Sequence, residues 1–474
     1  GASEFDILIG MTLLDQTTSG ESMTAENFAV EALMTNPRAA GSVSYGQYSY
    51  SRYRYAALFG RVNYKFRDKY IVNVTGRRDG STRFGPANRF ANFGALGVAW
   101  NISREPFFAS LEKTIQMLKL RSSVGITGND QLTDYQYLDA YSPSRAYNGE
   151  TGLAPVRLSN PNYAWETNKK VEAALDFDLL GRISGSVSYY RNISSNQLVG
   201  DPLPATTGFA LIQNNLPAVV ANTGWEIFLS YSLLNNTAFT WSISTNLTVP
   251  RNELVSFPRL EESSQYAPIM EVGHPLRIKK TYQLEGVNPE TGMYQFTDFN
   301  GDGILDQADR RVIKFLGQRY YGGVSNKLSY KNFELDFLFQ FVRQQGVANV
   351  SSFGSPGGSD NQPASVVSRW RNPGDINGTQ RYSAGGTAAS GYSNYYRNSD
   401  QSVTDASFIR LKNVSLSWRI NPDWVGKLGI NNARIFAQGQ NILTITSYEG
   451  LDPETQGLAL PPLQVITIGA NVTL

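Results

Sequence analysis

The chain of 474 residues has no cysteine, a single histidine and few charged residues. The absence of cysteine excludes disulfides, thiol nucleophiles and zinc–thiolate sites, and it is compatible with a secreted or cell-envelope protein. Charged residues make up 17% of the chain, against about 25% in ordinary soluble domains. This shortfall indicates that much of the surface does not face water.

The sequence also lacks any apolar run of about 18 residues that could cross a bilayer as a helix. Its net charge is only +2, and it contains no long basic run. Nucleic acid is therefore not an expected partner. Low charge without apolar helices leaves one way to cross a membrane, which is by strands that are apolar on one side only.

Apolar and polar residues alternate with a period of two in many segments, which predicts β-strands. In "NFELDFLFQF" (332–341), every second residue from Phe333 onward is apolar. Further strands are predicted at 58–66, 70–77, 90–100, 183–190, 241–249, 414–418, 434–441 and 466–474. We predict about 14–16 strands of roughly nine to eleven residues, the length that a tilted strand needs to cross a bilayer.

The connections between these segments fall into two length classes. "KFRDKY" (65–70) and "SYKNFE" (329–334) are tight turns, whereas long polar loops are expected near 128–168, 250–318 and 346–404. Short turns at one end and long loops at the other are typical of outer-membrane barrels. The Gly/Ser-rich loop 346–404 is expected to be flexible.

The pattern predicts an all-β fold, a transmembrane antiparallel β-barrel that occupies the whole chain as one domain. A soluble β-sandwich or propeller would also show alternation, with its apolar face turned to its own core. Strand length and low charge weigh against this alternative. So do aromatic residues near the predicted strand ends, where an interfacial girdle would place them: Tyr64, Phe66, Tyr70, Trp100, Tyr189, Tyr190, Tyr330 and Trp418.

The segment "DFNGDGILDQAD" (298–309) has the spacing of a calcium-binding loop, with Gly303 at its sharp turn. The six liganding positions hold Asp298, Asn300, Asp302, Ile304, Asp306 and Asp309. The flanking residues predict strands rather than the two helices of an EF-hand. We expect a Ca²⁺ ion that orders an external loop. The alternative is a metal-free turn formed by the turn propensities of Asn, Gly and Asp.

A set of segments, in order along nearly the whole chain, resembles the SusC/RagA branch of TonB-dependent outer-membrane transporters. The longest is the stretch 59–108, which begins "FGRVNYKFRDKYIVNVTGRRDGS". The others are "LKLRSSVGITGN" (118–129), "NYAWETNKKVEAALDF" (162–177), "NTGWEI" (222–227), "DFNGDGILDQADRRVI" (298–313), "GGVSNKLSYKNFELDFLFQF" (322–341), "ASFIRLKNVSLSW" (406–418) and "GQNILTITSYEGLDPET" (439–455).

The resemblance implies a 22-stranded barrel, filled by an N-terminal plug and energised by the TonB complex through a box that precedes the plug. Neither plug nor TonB box is found in this sequence. A sheet of about 15 strands has two open edges that cannot face lipid unpaired. We therefore expect that the plug and the first strands lie outside this sequence, or that another chain supplies them; an incomplete chain is the favoured reading.

No catalytic site is predicted, so we do not expect an enzyme. The only histidine, His274, is interpreted as a loop residue before proline, and the adjacent Glu261 and Glu262 as a solvated pair whose side chains point apart. Tyrosines in the long loops could stack on sugar rings or peptide side chains, or pack among themselves. They are Tyr135, Tyr137, Tyr141, Tyr147, Tyr392, Tyr395 and Tyr396.

The resemblance implies active, TonB-dependent import of an oligosaccharide or peptide across the outer membrane of a Gram-negative bacterium. A SusD-type surface lipoprotein, the TonB complex and outer-membrane lipid are the implied partners. The alternatives are a structural barrel subunit of a larger outer-membrane assembly, a passive porin, and a soluble calcium-dependent glycan-binding β-protein.

Overall fold

The computed structural model describes residues 3–144, 148, 150, 152–235, 238–421, 424 and 429–473. Most regular structure in these residues is β-strand, with one α-helix, α1 (Gly386–Asn394), and short 3-10 turns. None of the described helices is long and apolar enough to cross a membrane. The strands are β1 Ser3–Phe28, β2 Ala40–Phe66, β3 Tyr70–Ser81, β4 Phe90–Asn101, β5 Ile115–Asn129, β6 Ala140–Pro143, β7 Leu153–Arg157, β8 Glu166–Leu179, β9 Ile183–Ser195, β10 Gln197–Pro202, β11 Leu211–Leu216, β12 Val219–Asn235, β13 Phe239–Ser256, β14 Ile278–Thr281, β15 Leu284–Val287, β16 Tyr294–Phe296, β17 Val312–Phe315, β18 Gln318–Tyr330, β19 Phe333–Val347, β20 Val403–Asp405, β21 Phe408–Arg419, β22 Asn432–Thr446 and β23 Val465–Thr473.

One large sheet contains 15 of the strands that the structure describes. Hydrogen-bonded neighbours follow the order β1-β2-β3-β4-β5-β8-β9-β12-β13-β18-β19-β21-β22-β23, and β20 pairs with β19. Small two-stranded sheets, β6–β7, β10–β11, β14–β17 and β15–β16, lie in the connections. The predicted all-β antiparallel fold is confirmed, and the large sheet has a strand number within the predicted 14–16.

The tight turns predicted at 65–70 and 329–334 are present. Phe66 pairs with Tyr70 across a turn in which Arg67 and Asp68 have positive φ angles of 49° and 57°. Tyr330 pairs with Phe333 across a two-residue turn in which Lys331 has φ 52°. Positive φ at these positions matches the twist of the flanking strands, so the hairpins close without splaying.

Aromatic rings cluster beside these turns, as predicted for strand ends. In the first hairpin the Phe66 ring lies between those of Tyr64 and Tyr70, with centroids 6.5 Å apart on each side. In the second, Phe333 stacks on Trp418 of the neighbouring strand at 6.1 Å. Rings at this level of the strands suit a membrane–water interface, where an apolar ring body and a polar edge are both satisfied.

The described residues group into two compact units. The first contains Gly1–Ala99, Ser123–Val171 and Ile193–Val219, and the second contains Trp100–Ser122, Glu172–Asn192 and Val220–Leu474. Within the first unit, the side chains of Phe84, Tyr163 and Trp165 form a buried aromatic cluster. This cluster ties the loop that follows β5 to the ends of β2–β4.

In the second unit, strand register sorts the side chains of the sheet into an apolar face and a polar face. One apolar row runs across β13, β18, β19, β21, β22 and β23: Trp241, Leu328, Leu335, Leu416, Ala437 and Ile468. The next row, one residue along each strand, lies on the polar face: Ser242, Lys327, Asp336, Ser415, Gln438 and Thr467. Successive side chains of a strand point to opposite sides, so the alternation in sequence becomes two chemically distinct surfaces.

The first unit shows the same separation in β1–β3. Ile9, Met11 and Leu13 are 65–78% exposed on one face. On the other face, Lys65 pairs with Glu4 at 3.1 Å and Arg61 lies 3.8 Å from Asp6. Large apolar side chains in an exposed row, opposite a row of ion pairs, are what a strand between lipid and a wet interior requires.

Several strands are longer than the predicted nine to eleven residues. β1 has 26 residues and β2 has 27, and their pairing continues past Leu14 with one bulge between Glu21 and Met23. The added part is rich in Ser, Thr and Tyr. Thr and Tyr favour strands without an apolar environment, so the hairpin continues beyond the apolar rows.

We predict that Leu416→Arg destabilises the folded sheet by about 1–3 kcal/mol, because the charge enters a lipid-facing row that lies between the interfacial aromatic rings and the bilayer midplane. Leu416 is 50% exposed and lies opposite Leu335 and Ala437. Denaturant unfolding of the protein refolded into lipid vesicles measures the change.

The matched control is Ser415→Arg, which places the same side chain on the polar face opposite Asp336. This variant should unfold within about 1 kcal/mol of the parent. Equal destabilisation by both substitutions would contradict the assignment of the apolar face to lipid.

Candidate functional site

The predicted calcium-type loop lies between two short strands of the second unit, β16 and β17, and not within the large sheet. It begins two residues after Phe296, the last residue of β16, and ends in a 3-10 turn, Gln307–Asp309. Gly301 and Gly303 have φ angles of 72° and 77°. The predicted need for glycine at position 303 is therefore a conformational one.

Carboxylates close this loop on its own backbone. Asp298 accepts hydrogen bonds from the amides of Gly301 and Gly303 at 2.7 and 2.8 Å. Asp302 accepts from the Ile304 amide at 2.8 Å and from the side-chain amide of Asn300 at 2.8 Å. These are the local bonds by which Asp and Asn stabilise turns.

Asp309, at the last liganding position, is fully buried and holds the two ends of the loop together. Its carboxylate accepts from the amide of Phe299 at 2.8 Å and from that of Asp306 at 3.0 Å. Asp306 in turn accepts from the Ala308 amide at 2.7 Å, which completes a capping box. The amides of Asp306, Phe299 and Asn300, with Arg311, lower the pKa of Asp309 below its ordinary value in spite of burial.

The donor chemistry of the loop fits Ca²⁺, because every candidate ligand is a carboxylate, amide or carbonyl oxygen. Among the described residues, however, no three His, Cys, Asp or Glu side chains converge closely enough to hold a metal ion. Asp298 and Asp309 already use both oxygens for backbone amides. A bound ion would therefore share oxygens that also accept hydrogen bonds, which a carboxylate's remaining lone pairs allow.

The calcium-type loop belongs to a larger assembly of loops, which we call the loop module and define as residues 278–315 and 386–405. Tyr282 exchanges backbone hydrogen bonds with Asn398 and Asp400 at 3.0 and 2.9 Å. The Lys279 ammonium donates to the Arg397 carbonyl at 3.0 Å and to the Ser402 hydroxyl at 2.7 Å. Burial, with the positive charges of Arg310 and Arg397, lowers the pKa of Lys279.

Aromatic rings form the core of the loop module. Tyr294 stacks on Tyr396 with centroids 4.2 Å apart, and Tyr396 stacks on Tyr392 at 5.0 Å. Tyr395 contacts Tyr282 edge-to-face at 5.3 Å and Phe296 at 5.7 Å. Burial raises the pKa of Tyr392 to about 12, and it raises the pKa of Tyr294 as well. The module is thus a small packed core, although it lies in loops.

The structure separates the tyrosines that the sequence offered for ligand contact. Tyr392, Tyr395 and Tyr396 pack among themselves in the loop module. Tyr135 bonds the backbone of Arg52 at 2.9 and 3.1 Å, and Tyr137 packs on the buried aromatic cluster of the first unit. Tyr141 is 58% exposed. Tyr147 lies outside the described residues.

The loop 346–404 also differs from the flexible connection that its Gly/Ser content predicts. It contains α1 and several 3-10 turns. The Trp370 indole donates to the Pro289 carbonyl at 2.9 Å, and the Arg381 amide donates to the Gly292 carbonyl at 2.8 Å. These long-range bonds to the 278–315 segment give the loop a defined course. Composition cannot reveal them.

A buried ion cluster that the sequence did not reveal holds the loop after β22. Arg410, 1% exposed, donates to Glu454 at 2.7 Å, to the hydroxyl of Thr444 at 3.0 Å, and to Asp452. Asp452 also accepts the amides of Glu454 and Thr455. The sequence shows an arginine within a predicted strand and, further along, the acidic segment "LDPET". It does not show that the two form an ion pair, because they come together only in the folded chain.

We predict that Arg410→Gln lowers the free energy of unfolding by about 3–5 kcal/mol, because it leaves buried Asp452 without its cation. The matched control is Arg343→Gln, which removes an exposed ion pair with Asp405 and should cost less than about 1 kcal/mol. Thermal unfolding in detergent reports both values. Similar losses in the two variants would show that Arg410 is not a buried anchor.

Comparison with known proteins places this geometry in a family. The family model "TonB dependent receptor-like, beta-barrel" matches residues 16–442. TonB-dependent receptor P3 of Formosa agariphila is 28% identical over 96% of this chain and 47% of its own length. TonB-dependent receptor SusC of Bacteroides thetaiotaomicron is 28% identical over 84% of this chain and 41% of its own length.

The fold matches the RagAB peptide importer in its open-open state with a TM-score of 0.86 at 22% identity, over 100% of this chain and 53% of that one. The chain therefore spans about half the length of the relatives that it matches. The resemblance to SusC/RagA-type transporters is confirmed. The family consists of outer-membrane transporters and not of enzymes. This chain belongs to the TonB-dependent receptor-like β-barrel family.

Proposed function

We propose that this chain forms part of the barrel of an active importer that takes an oligosaccharide or peptide across the outer membrane of a Gram-negative bacterium. The observation that carries the proposal is the family match over residues 16–442. The two-faced sheet supports it, because apolar rows suit lipid and polar rows suit a wet passage. The RagAB relative is a peptide importer, which makes peptide one candidate substrate.

The polar face of the large sheet suits a large, hydrated substrate. Within the polar row, Ser242, Ser415, Gln438 and Thr467 offer neutral hydroxyls and amides, and Lys327 and Asp336 add one charge of each sign. The neutral groups bond sugar hydroxyls and peptide amides without the desolvation cost of a charge.

The proposal includes a SusD-type surface lipoprotein above the loops and energy supplied by the TonB complex. The loop module supports the first part, since a partner that opens and closes needs a firm surface on which to close. Its stacked rings and backbone bonds to Asn398 and Asp400 supply that firmness. Among the described residues, no strand pairs with the outer edge of β1 or of β23. This supports a longer barrel, because unpaired strand edges cannot face lipid.

Uptake assays test the function. Deleting the gene should abolish growth on one oligosaccharide or peptide mixture as sole nutrient and leave growth on its monomers unchanged. Removing TonB or adding a protonophore should have the same effect, because transport against a gradient needs energy. Uptake that persists without TonB would identify a passive porin. Unimpaired growth of the deletion strain on all such nutrients would point to a structural barrel subunit.

We further propose that the loop 298–309 binds Ca²⁺ through Asp298, Asn300, Asp302, the Ile304 carbonyl, Asp306 and Asp309. When bound, the ion would supply a fixed positive centre for these oxygens. The residues themselves already fold the loop through the bonds of Asp298 and Asp309 to backbone amides. Its role is to order the loop module, because rings of that module, Tyr294 and Phe296, precede the loop.

We expect titration with Ca²⁺ to give a dissociation constant of about 0.1–1 mM, the range of extracellular modules. Hydrogen exchange of the amides of 298–309 should slow on binding. Asp298→Asn with Asp302→Asn should abolish both effects.

The matched control is Asp375→Asn, since Asp375 also accepts two backbone amides, those of Arg371 and Asn372, but lies in another loop. It should leave binding unchanged. Absence of binding at about 10 mM Ca²⁺ would leave the metal-free turn as the correct interpretation.

A further inference from the structure

We propose that the second unit carries a binding site for a phosphorylated lipid of the outer leaflet. The site is a recess of about 650 Å³ between the apolar face of β9, β12, β13 and β18, near their loop ends, and the residues Gly273, Pro275 and Phe315 of the connection between β13 and β18. Three arginines line it, Arg191, Arg251 and Arg319, together with one carboxylate, Glu253. The inference rests on the outer-membrane placement proposed above and adds a ligand that the transport function does not need.

Strand parity places the lining side chains on the lipid-facing side. Val249 and Arg251 continue the alternation of Trp241 and Leu247, which lies on the apolar face of β13. On β12, the contact of Ser230 with Ser244 at 3.3 Å assigns the even-numbered residues to the polar face. Ala221 and Thr223, which also line the recess, therefore share the apolar face with Trp225.

Arg191 reaches the same surface from β9. The Tyr189 ring packs on the Trp225 ring with centroids 5.1 Å apart, so Tyr189 is on the apolar face. Arg191 lies two residues further along the same strand and points to the same side. Its guanidinium is therefore directed outward from the sheet, and not into the polar interior.

A β-bulge brings in the third arginine. Gln318 pairs with Gln344 and Tyr320 pairs with Arg343, so Arg319 is an extra residue in β18. In a regular strand Arg319 and Tyr320 would point to opposite faces, yet both line the recess. Re-aiming of a side chain is a known consequence of a bulge.

The position of the recess along the membrane normal matches that of the lipid headgroups. Tyr320 is ten residues from Tyr330 at the tight-turn end of the same strand. At about 3.3 Å per residue and a tilt near 40°, they are separated by roughly 25 Å along the membrane normal, the height of the apolar band. Arg251 lies beyond the level of Tyr320, since Thr248 pairs with Tyr321. The arginines thus lie at the boundary between the hydrocarbon region and the phosphate-containing headgroup region.

The recess carries an excess of positive charge. Among the residues that the structure describes, Arg191, Arg251 and Arg319 form no ion pair, although arginines elsewhere, such as Arg52, Arg121 and Arg410, do. Glu253 forms none either, so one carboxylate faces three guanidinium groups. Guanidinium binds phosphate with paired, charge-assisted hydrogen bonds. Val249, Val255 and Tyr320 beside them offer contact to acyl chains.

The test uses the protein purified from outer membranes in mild detergent, with native mass spectrometry as the measurement. The probes are diphosphorylated lipid A, the same lipid without phosphate, and inorganic phosphate. We expect the diphosphorylated lipid to bind at least about tenfold more tightly than the dephosphorylated one. Inorganic phosphate at millimolar concentration should not displace it, because the acyl chains contribute to binding.

The variant Arg191→Gln/Arg251→Gln/Arg319→Gln should lose this preference. The matched control, Arg67→Gln/Arg182→Gln/Lys331→Gln, removes the same charge at the tight-turn end and should keep it. Heat-dependent migration on a gel verifies that both variants are folded barrels. If the triple variant fails to fold, the three single substitutions are compared, and each should weaken the preference.

Equal binding of the two lipids, or equal loss in both triple variants, would overturn the inference. Full displacement by inorganic phosphate would also overturn it, by showing a water-facing anion site. A protein that imports its nutrient but shows no lipid preference would refute the lipid site alone. A protein that fractionates without detergent would refute the outer-membrane placement on which it depends.

Discussion

Backbone hydrogen bonding between neighbouring strands is the constraint from which the rest of this structure follows. In hydrocarbon no water is available to form a hydrogen bond with an unpaired backbone amide, so a strand must have a bonded partner at each edge. For the strands between β1 and β23 in the order of the sheet, antiparallel neighbours on both sides meet this condition. Register then decides which residues face lipid: the bonding that pairs Leu335 with Leu416 also aligns Asp336 with Ser415 on the other side.

The loops are stabilised by interactions other than strand pairing. Outside the apolar band the chain is in water, and aromatic stacking and buried polar bonds replace the sheet. In the loop module, rings such as Tyr294 and Tyr396 form a core without strands of the large sheet. Lys279 bonds a backbone carbonyl of the other segment of the module, and Asp309 bonds backbone amides at both ends of its own loop. The result is a loop module with a packed core of its own.

The sequence predicted the parts of the fold that depend on local pattern. Alternation located the strands, and turn residues such as Arg67 and Lys331 located the tight hairpins, because both signals lie within a few residues. The loop module could not be predicted, since Tyr282 and Asn398 meet only in the fold. The same holds for Arg410 with Asp452, and for three arginines from separate strands in one recess. The calcium-type spacing located a loop, but spacing alone does not reveal that its carboxylates bond the backbone.

The burial of Arg410 has a consequence for how the chain assembles. Its partners, Asp452 and Glu454, lie 42 and 44 residues further along the sequence. Burying an unpaired guanidinium is costly, so burial of Arg410 and docking of the segment after β22 depend on each other. A substitution in either segment therefore weakens both, because the contact of Arg410 with Asp452 and Glu454 joins them.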